Sequence, residues 1–211
     1  MYVPAHFAAA ETDVRDLLEN HGAADLITST SKGLLASFLP FDFDPTVGPR
    51  GALFGHVATN NDQWRQPPIG DAMVIVRGPD AYVSPSWYAS TAEHGRVVPT
   101  WNYITAHVYG GLVVHDDPEW LDVLVRRLTE RHESDIEQPW SVDDAPPRFI
   151  AGQLRAIVGL ELIINRIEAK VKLSQNRPEP DVDGVISGLR RQGDPSAAAA
   201  VAAARQPRDT G

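Results

Sequence analysis

Cysteine is absent from the 211 residues, which excludes disulfide staples, cysteine nucleophiles and thiolate-bound metal centres. No stretch approaches the roughly 18 apolar residues of a membrane-spanning helix. The opening Met1-Tyr2-Val3-Pro4-Ala5-His6-Phe7 has no basic segment followed by an apolar run. A cytoplasmic location with no membrane association is expected. Positive charge is scarce: 19 Lys and Arg stand against 28 Asp and Glu, a formal net charge of -9. Broad attraction to phosphate backbones is thereby opposed, and contact with DNA would need a local basic patch. The seven histidines (6, 21, 56, 94, 107, 115 and 132) have no close metal-ligand spacing, so no metal is expected. A Gly-x-Ser-x-Gly elbow, a phosphate loop and a dinucleotide fingerprint are also missing, which leaves acyl transfer and nucleotide hydrolysis without support.

Hydrophobic residues make up 43% and charged residues 22%, the balance of an ordinary globular chain. One domain over residues 1–192 is expected, followed by an alanine-rich surface helix and frayed tail over 193–211. Val14, Leu17 and Leu18 among charges predict a short helix over Asp13 to Asn20. Apolar runs at 25–30, 34–39, 52–57, 72–77 and 81–84 predict a meander of antiparallel strands, with Gly78-Pro79-Asp80 as a tight turn between the last two. Leu121, Leu124, Val125 and Leu128 predict a helix over Pro118 to Glu133. His115-Asp116-Asp117 before it reads as a cap rather than a cation site. Asp143-Asp144-Ala145-Pro146 offers a cap for a second helix ending near Arg155, and Ile157 to Leu173 reads as one long strand, continuous enough to be buried or to cross a subunit boundary.

Three segments hold more aromatic, amide and hydroxyl groups than a β core needs. Gly55 to Trp64 runs from a strand into Thr59-Asn60-Asn61-Asp62-Gln63, which can bind a phosphate or polyol or form a plain turn. Tyr82 to Tyr88 and Val98 to Tyr103 supply Trp and Tyr that can stack on a planar ligand or pack a dimer interface. Lys170 to Arg177 ends the long strand, and its Lys172 and Arg177 can meet a phosphate or remain solvated.

In order and wording these segments resemble the PaiB family of FMN-binding split-barrel regulators. The resemblance is carried by the opening heptapeptide, a Leu39-Pro40-Phe41 turn, Gly55-His56-Val57-Ala58 to Gln63-Trp64, Gly78 to Tyr82, Ser84 to Tyr88, Val98 to Tyr103, Trp140 to Pro146, Ile157-Val158-Gly159, Lys172 to Arg177 and Gly184 to Leu189. Two departures stand out: Ala169 replaces the family's usual glycine before Lys170, and Phe43-Asp44-Pro45-Thr46 replaces a more apolar stretch.

The resemblance implies a mainly β fold with flanking helices, a split β-barrel related to that of pyridoxamine phosphate oxidases. It further implies a homodimer with FMN bound between subunits and a role as a repressor, with DNA or another regulatory protein as partner. No helix-turn-helix is visible. An FMN-dependent oxidoreductase or flavin reductase using the same pocket is the alternative. Carried onto this chain, the phosphate falls to His56, Val57, Ala58, Thr59, Asn60, Gln63 and Trp64, with Lys172, Gln175 and Arg177 nearby. The ring falls to Ser37, Phe38 and Leu39 on one side and to Trp87, Trp101, Asn102 and Tyr103, from the other subunit, on the other.

Overall fold

The computed structural model describes residues 1–205; the frayed end expected of the tail lies outside the described residues. Six strands form a closed barrel in the order β1-β2-β3-β6-β5-β4. They are β1 (Ala23–Thr30), β2 (Gly33–Asp44), β3 (Ala52–Ala58), β4 (Ala72–Val83), β5 (Thr100–His115) and β6 (Ile157–Lys172). Helices α1 (Glu11–Asn20), α2 (Ser90–Glu93), α3 (Pro118–Glu133), α4 (Pro147–Leu154), α5 (Glu179–Arg191) and α6 (Pro195–Ala203) flank them. The protein is thus mainly β with flanking helices, as expected. No helix among the described residues is long and apolar enough to cross a membrane.

Two compact units divide the chain, and the division falls within β4, β5 and β6. One comprises Leu18–Val76 and His107–Ile167; the other comprises Met1–Leu17, Arg77–Ala106 and the residues from Glu168 on. In the first, strand alternation sorts side chains by face. Leu26, Leu53, Val74, Leu160 and Leu162 are fully buried, and the register sets Leu53 opposite Leu162 and Gly55 opposite Leu160. Each large side chain withdrawn from water contributes roughly 1.5–3 kcal/mol.

The opposite parity meets α3. Asp117 caps that helix by accepting from the Glu119 amide at 3.0 Å, and Pro118 starts it. Leu124 and Leu128, one helical turn apart, pack on Ala52 and Phe54 of β3. Arg127 and Arg131 of α3 pair with Asp42 of β2. Arg131 also donates to the carbonyls of Phe41 at 2.9 Å and His21 at 2.8 Å. One guanidinium thereby ties the helix to two backbone segments.

The second unit has its own core. Val182, Val185, Ile186 and Leu189 of α5 pack with Ala81, Val83, Val171 and Leu173. Asp181 is buried but satisfied, accepting from the Ser90 amide at 2.9 Å and hydroxyl at 3.0 Å. Asp194 caps α6, as its position before Pro195 predicts, accepting from the Ala197 amide at 2.9 Å. This helix does not lie loosely on the surface: Ala197, Ala198 and Val201 are buried in the same core, because small side chains allow close helix approach.

Four further sequence expectations need correction. Gly78-Pro79-Asp80 is no turn but the middle of β4. A Cβ at Gly78 would lie 3.0 Å from that of Ile104, so the glycine serves close packing, and a proline φ suits extended chain. Leu39-Pro40-Phe41 is also strand. Pairing passes there from β1, ending at Ala23 opposite Pro40, to β3, beginning at Phe41 opposite Gly55. The meander stops after β3, since β4 pairs with β1 and closes the barrel. Asp143 and Asp144 do not cap α4; they form a 3-10 turn capped by Ser141, while α4 begins after Pro146 without a side-chain cap.

Sequence reading gave no strand to β5 and no helix to α5. In α5, Gly184 and Gly188 weaken helix propensity. The structure uses both, since a Cβ at Gly188 would lie 2.3 Å from the Trp87 ring and one at Gly184 1.8 Å from the Trp87 carbonyl oxygen.

Two adjacent glycines of β5 provide a test. A Cβ at Gly110 would lie 2.0 Å from the Ile163 carbonyl oxygen, whereas nothing lies within 4 Å of one at Gly111. Gly110→Ala should lower unfolding free energy by about 3 kcal/mol in urea titration, and Gly111→Ala by less than about 0.5 kcal/mol. Equal effects would mean that the close approach of β5 to β6 is not a constraint.

Candidate functional site

The candidate residues fall into two groups, one in each unit. In the first, Ser37 and Leu39 share a face of β2 with the buried residues of β1, since Ser37 stands opposite Leu26 and Leu39 opposite Ala24. Phe38 takes the other parity and is 73% exposed. Gln63 is buried at the centre of a polar network. Its Nε2 donates to Thr28 Oγ1 at 2.8 Å, its Oε1 accepts from Ser37 Oγ at 3.1 Å, and its amide donates to Asn61 Oδ1 at 2.8 Å. Asn61 Nδ2 completes the network by donating to Ser37 Oγ at 3.0 Å.

The turn reading of this loop fits its backbone, because the Asn61 amide donates to the Ala58 carbonyl at 2.9 Å. Thr59 anchors it: its amide donates to the Ala156 carbonyl at 2.9 Å. Its own carbonyl accepts from Trp64 Nε1 at 3.1 Å and Arg65 Nη2 at 2.7 Å. Asn60 and Ala58 are exposed and Val57 is buried. His56 stands opposite Gly159 of β6, and its Nδ1 is buried without a hydrogen-bond partner. Desolvation pushes its pKa down.

In the second unit, Trp101 is half exposed. Its Nε1 donates to Asp80 Oδ1 at 2.7 Å, and its ring meets that of Tyr82 edge-on at 6.2 Å. Asn102 is buried, donating from Nδ2 to Ser174 Oγ at 2.9 Å. Ser174 takes a left-handed φ of 67°, and the Asn102 bond helps hold that uncommon backbone. Gln175 closes the end of β6, accepting from the Leu173 amide and donating to the Val171 carbonyl, both at 2.6 Å. Arg177 lies over the Tyr88 ring at 4.6 Å. Tyr88's hydroxyl pKa is raised by burial. Trp87 packs on Gly184 and Gly188 of α5. Lys172 Nζ donates to Thr100 Oγ1 at 2.5 Å and sits 6.0 Å from the Tyr103 ring.

Gln63, Asn102, Gln175 and Trp87 are therefore engaged in holding local structure. In the first unit Phe38 presents an exposed ring and His56 Nδ1 an unpartnered buried nitrogen; in the second, Trp101, Tyr103 and Lys172 present flat surfaces and a charge.

Sequence reading missed several groups. Thr28 was legible as a polar residue on the buried parity of β1. A pair on the outward face was not: His115 Nε2 meets Glu161 Oε2 at 2.7 Å, and the imidazole stacks on Trp120 at 3.9 Å. Trp120 packs in turn on Gly159. No cluster of three or more metal-ligating side chains occurs among the described residues.

The family model described as "Putative FMN-binding domain" matches residues 1–166. The protease synthase and sporulation protein PAI 2 of Bacillus subtilis is 31% identical over 199 residues, covering 93% of each chain. Among solved structures, the flavocytochrome Anf3 from Azotobacter vinelandii superposes with a TM-score of 0.58 at 13% identity, covering 86% of this chain and 78% of the other. A conserved hypothetical protein from Mycobacterium tuberculosis gives a TM-score of 0.57 at 12% identity, covering 85% and 95%. At such identities these two likenesses are of fold alone.

The buried imidazoles set a pH dependence. His21 is buried, its Nδ1 donates to the Leu18 carbonyl at 2.6 Å and its Nε2 has no hydrogen-bond partner among the described residues. Desolvation lowers its pKa, as at His56. The unfolded chain takes up protons as pH falls through 6.5, the ordinary value of an imidazole, while the folded chain resists. Stability is therefore full above that pH and is lost below it, at up to about 1.4 kcal/mol per pH unit for each histidine. Urea midpoints should drop between about pH 7.5 and 5.5, and His56→Gln should flatten the slope. An unchanged slope in the variant would remove His56 as a source.

Proposed function

This chain belongs to the PaiB-like family of FMN-binding domains, and on that premise we propose that it is a homodimeric flavoprotein with FMN at the subunit interface. Its cofactor is FMN, as the family assigns. In this reading, flavin occupancy or redox state biases the dimer and so serves regulation.

The observation that carries the proposal is an apolar outward face on three neighbouring strands. Leu34 and Phe38 of β2, 76% and 73% exposed, flank Ala36 on one parity. Across β1 this row continues through Ile27 to Met73, while Ile75 stands opposite Asp25. Ser29 stands opposite Leu34 and Asp25 opposite Phe38, so the apolar side chains form a row with polar neighbours, and exposed apolar groups clustered in this way support an interaction surface. A second copy is the proposed occupant, because twofold pairing buries the same patch on both subunits.

The donor set fits FMN: an ammonium at Lys172 for the phosphate, and flat surfaces at Phe38 from one subunit and at Trp101 and Tyr103 from the other for the ring. FMN, when bound, supplies a ring that accepts and returns electrons. The protein orients it and governs what can reach it.

The regulatory reading is supported by similarity to a relative named a protease synthase and sporulation protein. The net charge of -9 favours a second reading, an FMN-dependent oxidoreductase acting on a small molecule, because it opposes contact with phosphate backbones. Rapid reduction of the flavin by NAD(P)H without DNA retention would select the enzyme. Salt-dependent DNA retention would select the repressor.

Light scattering should give twice the 23.0 kDa chain mass. Introducing Leu34→Asp and Phe38→Asp together should yield a folded monomer with weakened FMN binding. A wild-type monomer at micromolar concentration, or a double variant that still dimerises, would overturn the interface.

A further inference from the structure

The chain contains three lysines, Lys32, Lys170 and Lys172, and two of them stand on one face of β6. Residues two apart on a strand point the same way, with Cα atoms about 7 Å apart. Both ammonium groups gather at the Tyr103 ring, Lys170 at 5.5 Å and Lys172 at 6.0 Å from its centroid. Lys172 is fixed by Thr100 Oγ1. Lys170 donates to the Tyr2 carbonyl at 3.3 Å and lies 6.0 Å from the Tyr2 ring and 5.9 Å from that of Phe7.

No ion pair joins either lysine to a carboxylate among the described residues. Glu168, next on the same strand face, is engaged by the Met1 ammonium. Two half-buried like charges held at one ring repel each other, and an anion between them offsets that repulsion.

We propose that Lys170 and Lys172, with Thr100 and Tyr103, form a phosphate-binding subsite in which Lys170 is the second cationic arm. Two ammonium groups and a hydroxyl suit a doubly charged group with several acceptor oxygens better than a single carboxylate. The subsite rests on the FMN reading only for the identity of the phosphate's carrier. The carrier is FMN or a separate phosphorylated ligand, and the chemistry at the lysines is the same for both.

Titrations of the full chain with FMN, riboflavin and inorganic phosphate test this in the wild type and in Lys170→Ala, Lys172→Ala and Lys170→Arg. Either alanine variant should weaken FMN binding about tenfold or more while leaving riboflavin within about twofold, since charged hydrogen bonds to phosphate are lost. Lys170→Arg should restore most of the affinity.

If Lys170→Ala weakens FMN and riboflavin alike, Lys170 acts by packing Tyr2 and Phe7, and the proposal is overturned. If phosphate binding is lost in Lys170→Ala while FMN binding is intact, the subsite stands and serves a separate phosphorylated ligand. If the wild type binds no flavin, the FMN reading fails by itself. Phosphate binding that depends on Lys170 would still support the subsite, and phosphate binding indifferent to Lys170 would sink it.

Discussion

Closure of six strands into one barrel commits every strand residue to one of two environments. Pairing hands over from strand to strand around the barrel, β2 meeting β1 through residues 33–40 and β3 through residues 41–44. The cost is tight geometry. Where β5 approaches β6, the Ile163 carbonyl leaves no space for a side chain at Gly110. Once the barrel closes, Leu26, Leu53 and Leu162 have no exit from the interior, and the alternate residues must find partners outside.

Those partners differ around the barrel wall. α3 covers Ala52 and Phe54 through Leu124 and Leu128, and its arginines neutralise Asp42. Leu34 and Phe38 have no such cover among the described residues. Apolar surface of that kind is the part of a small β protein that another subunit or a flat ligand can use. Polar side chains around the loop after β3 mostly satisfy one another. Among the described residues, the groups left over in one unit or the other are an exposed phenylalanine, half-exposed tryptophan and tyrosine rings, and Lys170 and Lys172 without carboxylate partners.

Local signals were legible where one element decides its own form. Asp117-Pro118 set the start of α3, Asp194-Pro195 that of α6, and the β-branched run from Ile157 gave β6. Signals that depend on distant packing were misread. Gly78-Pro79-Asp80 has turn chemistry, yet its glycine is needed where Ile104 passes close. The apolar spacing of Val182, Val185, Ile186 and Leu189 was obscured by Gly184 and Gly188, whose purpose appears only when Trp87 is packed on them. Thr28 and Gln63 are 35 residues apart, and no local pattern joins them. The family resemblance supplied the flavin from ordered motifs, but it passed over Lys170, which becomes notable only beside Tyr103 and Lys172.

The most direct measurement is the flavin content of the purified dimer, read from visible absorbance after reconstitution with FMN and removal of the excess by gel filtration. Flavin should co-elute with the dimer at a content equimolar with the chain and with a spectrum shifted from that of free FMN. A colourless dimer after reconstitution, or flavin eluting only at the free position, would contradict an FMN site built on this barrel.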